Sequence, residues 1–361
     1  MRDLSKLTAK KILAIKKPEL LFSQDSKTAK SEYRFLVKMW HPDFSSSTGA
    51  PQVITHIVKL YSFAREKSRN GTWQEPAQKI EEELSGIKNF RLTDGCIKTF
   101  EFRKIQEFEL GRIFISDNAV LYEIDSEFED LYKKGRRQIR SLTFENIEMA
   151  CELSRCLPEI KDTFQTVDSC CLEIGKTPDQ LLLRDILLYS GGKLAPVEHL
   201  GWILNCLYNI CCYLQWAKIT HNAINLDTVL VSPLRHSAML AGGWWYSSKT
   251  GEKLIALPDS TIKVIPPDIL NTANTDRRID LELVKQVGRE LAGDPEGFNL
   301  QFQKDIPQPV SDWLCMPASE DAIKDYAFWK YTVLEEAFGK PEFVNMEIES
   351  SEIYTLLNKE D

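Results

Sequence analysis

Nowhere in its 361 residues does the chain carry an apolar run approaching the roughly 18 to 20 residues that cross a bilayer, so no transmembrane helix is expected. The opening MRDLSKLTAKK is basic, but neither an apolar core nor a cleavage site follows it, which argues against a secretory signal. C-x-x-C pairs are missing. The nine cysteines are odd in number and sit mostly in apolar stretches such as Cys170-Cys171 and Cys211-Cys212. Reduced core thiols in a cytoplasmic protein are expected, rather than disulfides, a zinc site or a redox centre. Positive charge is in deficit: a net charge of −8 argues against general binding to nucleic acid or to an anionic membrane. The cluster Lys133-Lys134-Gly135-Arg136-Arg137 is a local exception, read as a solvated face rather than a docking patch. Internal repeats and low-complexity tracts are absent too.

What is present suits a globular protein of two or three domains, with 43% hydrophobic and 27% charged residues. Residues 28–40 read as a helix. Lys30, Arg34 and Lys38 recur at i, i+4 and i+8 and share one face, while Leu36, Val37 and Trp40 lie elsewhere on the wheel for packing. Val53, Ile54, Ile57, Leu60, Tyr61 and Ala64 predict a second helix. Between the two stands His41-Pro42-Asp43, a histidine, a φ-locked proline and a carboxylate at the tip of a helical hairpin.

This arrangement resembles a J domain, the module that docks on DnaK-type chaperones and stimulates their ATP hydrolysis. The resemblance assigns chaperone contact to Lys30, Tyr33, Arg34, Lys38, His41, Pro42 and Asp43. Basic side chains would steer toward an acidic partner surface and raise the on-rate more than the affinity. Two departures stand out: Phe35 occupies a position that is often basic in the family, and residues 12–22 lack the aromatic pair that commonly opens it.

After residues 1–73, the polar and acidic stretch 74–86 reads as a linker. A β-rich pattern follows: alternation over residues 99–109, then residues 111–116 and 119–125 around the turn Ser116-Asp117-Asn118, and one or two strands in 163–174. Residues 144–157 and 179–188 read as helices. The longest helical pattern is expected to open with Pro196 at its first position, its apolar stripe running from Leu200 to Ala217. Residues 325–338 form a last helix, with Tyr326, Trp329, Val333 and Ala337 on one core face.

A β-rich half, a buried helix feeding a loop that begins at His221, and a helical remainder resemble the protein kinase fold over roughly residues 86–344. The expected fold is therefore α+β: an N-terminal all-α J-domain hairpin, then a two-lobed kinase-like body with a small lobe at 87–175 and a large lobe at 176–361. Val264-Ile265-Pro266-Pro267-Asp268 and residues 280–291 resemble the end of a kinase activation region and the buried helix after it.

Phosphoryl transfer needs a carboxylate for the acceptor hydroxyl, ligands for magnesium and a lysine on the phosphates. Aligned through His221, this chain has Ala223 at the base aspartate, Asn225 at the lysine, Thr228 at the metal-binding asparagine and Gly242 within the metal motif, where Leu240-Ala241-Gly242-Gly243-Trp244 holds no carboxylate. On the third strand of the kinase pattern, Glu123 replaces the phosphate lysine, and an anion there would repel ATP. Asp227 and Lys176 are not expected to compensate. The resemblance thus implies a pseudokinase without catalytic residues, cofactor or metal, with Trp244, Trp245 and Tyr246 plugging the empty cleft or, as the alternative, offering an aromatic surface to a protein or ligand partner. His221 is expected to hold the loop through backbone hydrogen bonds.

The implied role is a co-chaperone that recruits a DnaK-type chaperone and targets it through the kinase-like body to a client or complex protein. Two alternatives remain: an atypical kinase or nucleotide-binding enzyme using displaced residues, and a decoy that occupies the chaperone without stimulating it.

Overall fold

The computed structural model describes residues 9–15, 17–40, 50–69, 73, 86–340, 343–348 and 352–354. The chain is α+β and divides into two compact units, Met1–Ile87 and Lys88–Asp361. His41, Pro42 and Asp43 lie outside the described residues, as does nearly all of the 74–86 stretch. Among the described residues no helix is long and apolar enough to cross a membrane.

The first unit holds α1 (Ala9–Ala14), α2 (Pro18–Leu21), α3 (Ser26–Trp40) and α4 (Ala50–Arg69). The region 12–22, where a helix precedes the basic one, is thus two short helices, the second opened by Pro18. Asp25 caps α3, its carboxylate accepting from the Thr28 amide (2.9 Å) and hydroxyl (2.6 Å). Ser68 near the end of α4 reaches the Gln24 carbonyl at the start of α3, which makes the two helices antiparallel. Ile12, Leu21, Phe22, Leu36, Val53, Ile57 and Leu60 form the core between them, each contributing roughly 1.5 to 3 kcal/mol of burial.

The second unit begins with a two-stranded ribbon, β1 (Ile87–Arg91) and β2 (Ile97–Glu101). An antiparallel sheet follows in the order β3-β4-β5-β7-β6, from β3 (Lys104–Phe108), β4 (Gly111–Ile115), β5 (Ala119–Asp125), β6 (Ile160–Gln165) and β7 (Ser169–Gly175). The single alternating stretch expected at 99–109 is in fact two strands: Phe102 and Arg103 interrupt it, and the pieces pair with different partners. Between β5 and β6 lie α5 (Glu129–Arg140) and α6 (Ile147–Leu153), the latter continued by a 3-10 turn rather than filling 144–157. One sheet face packs Val120, Tyr122, Ile124 and Leu172 with Tyr132 and Ile139 of α5. The other packs Phe114, Leu121 and Cys171 with Phe90 and Phe100 of the ribbon.

The helical half starts with β8 (Leu181–Leu182), α7 (Leu183–Tyr189) and α8 (Glu198–Trp216). The region 179–188 is therefore not wholly helical, because Leu181 and Leu182 pair with a later strand. Pro196 does not open α8: it follows a cis peptide bond, and the helix begins two residues later. Then come β9 (Ile219–Thr220), β10 (Val229–Ser232), β11 (Ser237–Leu240), β12 (Ser248–Lys249), α9 (Asp259–Ile262), α10 (Pro267–Thr272), α11 (Arg278–Leu291), α12 (Gln308–Cys315), α13 (Ala322–Phe328) and α14 (Leu334–Phe338). A π-helical segment, Trp329–Val333, joins the last two, so 325–338 is one helical run with a widened middle. The Trp329 ring lies tilted against Trp313, with centroids 4.3 Å apart. Buried Lys285 spans to the end of α12, donating to the carbonyls of Trp313 (3.1 Å) and Met316 (2.8 Å).

Candidate functional site

In the first unit, Lys30, Arg34 and Lys38 form an exposed row on α3, because Leu36 and Ala29 turn the opposite side into the core. Tyr33 is half-buried, with one ring face stacked on Tyr61 at 4.0 Å and 12°. Phe35 is exposed beside the row. Trp40 closes the helix against the core just before residue 41.

In the second unit, the loop from His221 to Thr228 enters from α8 through β9. It is held by Asp280 of α11, whose carboxylate accepts the backbone N–H groups of His221 (2.7 Å) and Asn222 (2.8 Å). Burial pushes the Asp280 pKa up to about 7, partly offset by those two donors. Asn222 adopts a left-handed backbone (φ 66°), a conformation that asparagine tolerates better than most residues. Its side chain donates to the Tyr246 carbonyl (3.0 Å), and its own carbonyl accepts from Thr261 (2.7 Å).

The His221 side chain does not hold the loop. Both ring nitrogens are buried without a hydrogen-bond partner, and the ring packs edge-on against Trp244 (4.8 Å, 87°). Burial drives its pKa down to about 3, offset only in part by the Gly242 backbone. Ala223 is buried. Thr228 closes the turn, its hydroxyl lying 2.8 Å from the Ala223 carbonyl and 3.1 Å from that of Asn225, while Asn225 accepts from the Asp227 amide. Asp227 is clamped by the Arg184 guanidinium, with the shortest contact at 2.7 Å.

Glu123 stands apart from this loop. It shares the sheet face of Leu121, accepts from Arg112 (2.7 Å) and receives the Ser169 hydroxyl (3.3 Å). Glu123 is thus paired on the sheet face opposite Tyr122. The β5 side chain that faces the loop is Tyr122, since successive strand residues point to opposite faces. A Cβ on Gly242 would lie 2.6 Å from the Tyr122 hydroxyl, so that hydroxyl occupies the space where a larger side chain would stand.

Trp244, Trp245 and Tyr246 are all buried. Trp245 meets Tyr122 (5.1 Å) and Phe108 (5.5 Å), bringing the loop onto the sheet. Gly135 lets α5 approach: a Cβ there would come within 2.9 Å of the Trp245 backbone nitrogen. Gly243 (φ 82°) makes a sharp turn packed close to the loop, where a Cβ would come within 2.7 Å of the His221 ring and 2.9 Å of the Ala223 side chain. Tyr246 donates to Glu109 in the β3–β4 turn (2.9 Å), and Lys104 of β3 pairs with buried Asp185 of α7. Each contact ties the sheet half to the helical half. In the basic cluster of α5, Lys133 and Arg137 are exposed, whereas Lys134 reaches the Ser248 hydroxyl (3.2 Å).

Chemically, the positions of Ala223, Asn225, Thr228 and Gly242 offer no carboxylate to a hydroxyl or a metal, and the nearby Asp227 and Asp280 are committed. Among the described residues no group of three or more His, Cys, Asp or Glu is arranged to hold a metal. All nine cysteines are free thiols. Tyr122 and Gly135 were not singled out from sequence; strict alternation along Val120-Leu121-Tyr122-Glu123-Ile124 would have found the first. No family model matches the chain, and no curated protein matches it either.

Proposed function

We propose that the protein is a cytoplasmic J-domain co-chaperone: its first unit recruits and stimulates a DnaK-type ATPase, and its second unit, a kinase-like body without phosphotransfer chemistry, carries that chaperone to a client or complex protein. The observation that carries the first half is the exposed row of Lys30, Arg34 and Lys38 on a core-packed helix that leads directly into His41-Pro42-Asp43. An acidic chaperone surface would be steered to that row, and the following tripeptide would complete the contact.

The kinase-like reading is supported by the order of elements: a five-stranded sheet with a covering helix, a buried helix feeding the His221 loop, and a helical remainder. Its lack of phosphotransfer is supported by Ala223 and Gly242, and by Trp245 filling the space between sheet and loop. Removing a base and metal ligands costs several orders of magnitude in rate.

Steady-state ATP turnover by a DnaK-type chaperone, measured with the wild type and with His41→Gln, tests the proposal. Stimulation by the wild type alone is expected. No stimulation by either, or equal stimulation by both, refutes it; tight binding of the wild type without stimulation would mark a decoy instead.

A further inference from the structure

The cations of α5 separate into two groups in the fold. Lys134 turns inward to the Ser248 hydroxyl (3.2 Å), and burial lowers its pKa. Arg136 lies over the Tyr132 ring, 5.5 Å from its centre. Lys133, Arg137 and Arg140 are exposed. Their spacing of i, i+4 and i+7 puts them on one face, spread over about 10 Å of helix. The other side of α5 buries Tyr132, Gly135 and Ile139.

The fold makes little use of this row. Lys133 meets Glu129 one turn earlier (3.0 Å), in an exposed pair of the kind that contributes little and opens readily. Among the described residues Arg137 and Arg140 form no ion pair, whereas Arg103, Arg112, Arg184 and Arg278 of the same unit each grip a carboxylate. The helix dipole favours cations in this last turn, yet it requires neither three of them nor a shared face. Side by side, they repel one another. The helix that carries them is held firmly, because Gly135 lies against the Trp245 main chain with no room for a Cβ. A row presented on so fixed an element pays little ordering cost on binding.

The charge of the row selects its occupant. Arg137 and Arg140 offer planar forks that fit a carboxylate with two parallel hydrogen bonds. A polynucleotide is disfavoured, since three cations are few and the chain as a whole carries −8. A lipid surface is disfavoured too. The exposed residues of α5 are Asp130, Lys133, Arg137 and Arg140, with no apolar side chain among them to enter a bilayer.

We propose that Lys133, Arg137 and Arg140 form a docking face for an acidic stretch of a partner protein, whose carboxylates meet the three cations along α5. Taking that partner to be the client or complex protein rests on the co-chaperone reading; the charge pairing itself does not.

Fluorescence anisotropy at low salt tests the docking face, with a labelled octaglutamate peptide as the probe and the full chain as the receptor. Lys133→Ala/Arg137→Ala/Arg140→Ala is expected to weaken binding about ten-fold, and Arg137→Ala alone about three-fold. Removing the same charge elsewhere, in Arg91→Ala/Lys263→Ala/Lys324→Ala, is expected to change it by less than about two-fold. All these side chains are exposed, so each variant should keep the wild-type melting temperature within about 2 °C. A wild type that does not bind the peptide overturns the proposal, and so does equal weakening by the two triple variants. An octanucleotide or phosphatidylserine vesicles held more tightly than the peptide through the same three residues overturn the choice of partner. No chaperone enters the measurement, so its failure leaves the co-chaperone proposal intact, and a failure of chaperone stimulation leaves this one.

Discussion

The basic row on α3 and the loop from His221 to Tyr246 treat polar chemistry in opposite ways. On α3 the charged groups point outward: Lys30, Arg34 and Lys38 are solvated while the far side of the helix supplies the core. In the loop the polar groups point inward. Asp280 grips two backbone amides, Asn222 and Thr228 close turns, and the aromatic rings seal the space above them. The difference teaches where each region's free energy goes. The outward row adds little to folding and remains available to a partner, whereas the inward loop is committed to joining two halves of one unit.

The two regions should therefore respond differently to substitution. The largest effect is expected for Trp245→Ala, which empties the contact with Tyr122 and Phe108 and should cost about 3 to 5 kcal/mol in chemical denaturation. A loss below about 1 kcal/mol would show that the ring is not part of the packed seam. Gly135→Ala should cost about 1 to 3 kcal/mol, since the new methyl meets main chain that cannot swing aside; an unchanged midpoint would contradict the close approach.

Acid comes next. His221 has its pKa depressed from the ordinary imidazole value to about 3, so its contribution to stability is present above pH 6.5 and is lost as pH falls through 3. Asp280, raised to about 7, runs the other way: its contribution is present below pH 3.8 and is lost as pH rises through 7. In His221→Phe, the melting temperature should fall less steeply than in the wild type between about pH 6 and pH 4. An identical slope would mean that the imidazole is not buried neutral.

The smallest effect on folding is expected on α3. Replacing Lys30, Arg34 and Lys38 together with alanine should move stability by no more than about 0.5 kcal/mol. It should nevertheless slow chaperone association about ten-fold at low salt and flatten its salt dependence. If the triple variant unfolds, or binds as fast as the wild type, the contrast between outward and inward chemistry fails.

Some of this was readable from the residues in order. Lys30, Arg34 and Lys38 share a face because a helix repeats every 3.6 residues, and Ser116-Asp117-Asn118 is the turn between β4 and β5 because short polar residues close hairpins. That Glu123 turns to the face opposite Tyr122 and meets Arg112 depends on a neighbouring strand, where a one-residue slip would move the side chain to the other face. The split at Phe102 and the short strand at Leu181 depend on pairing with segments distant in sequence, which local patterns do not encode.

Periodicity, turn chemistry and composition were enough to establish an α+β chain with a basic helix ahead of His41-Pro42-Asp43, because those properties arise between near neighbours. That Tyr122 rather than Glu123 meets the loop, that Asp280 holds His221 and Asn222, and that Trp245 fits against Gly135 are products of folding. Each joins residues tens of positions apart, and burial and hydrogen-bond satisfaction act on them only once the sheet and the helices have closed around the same space.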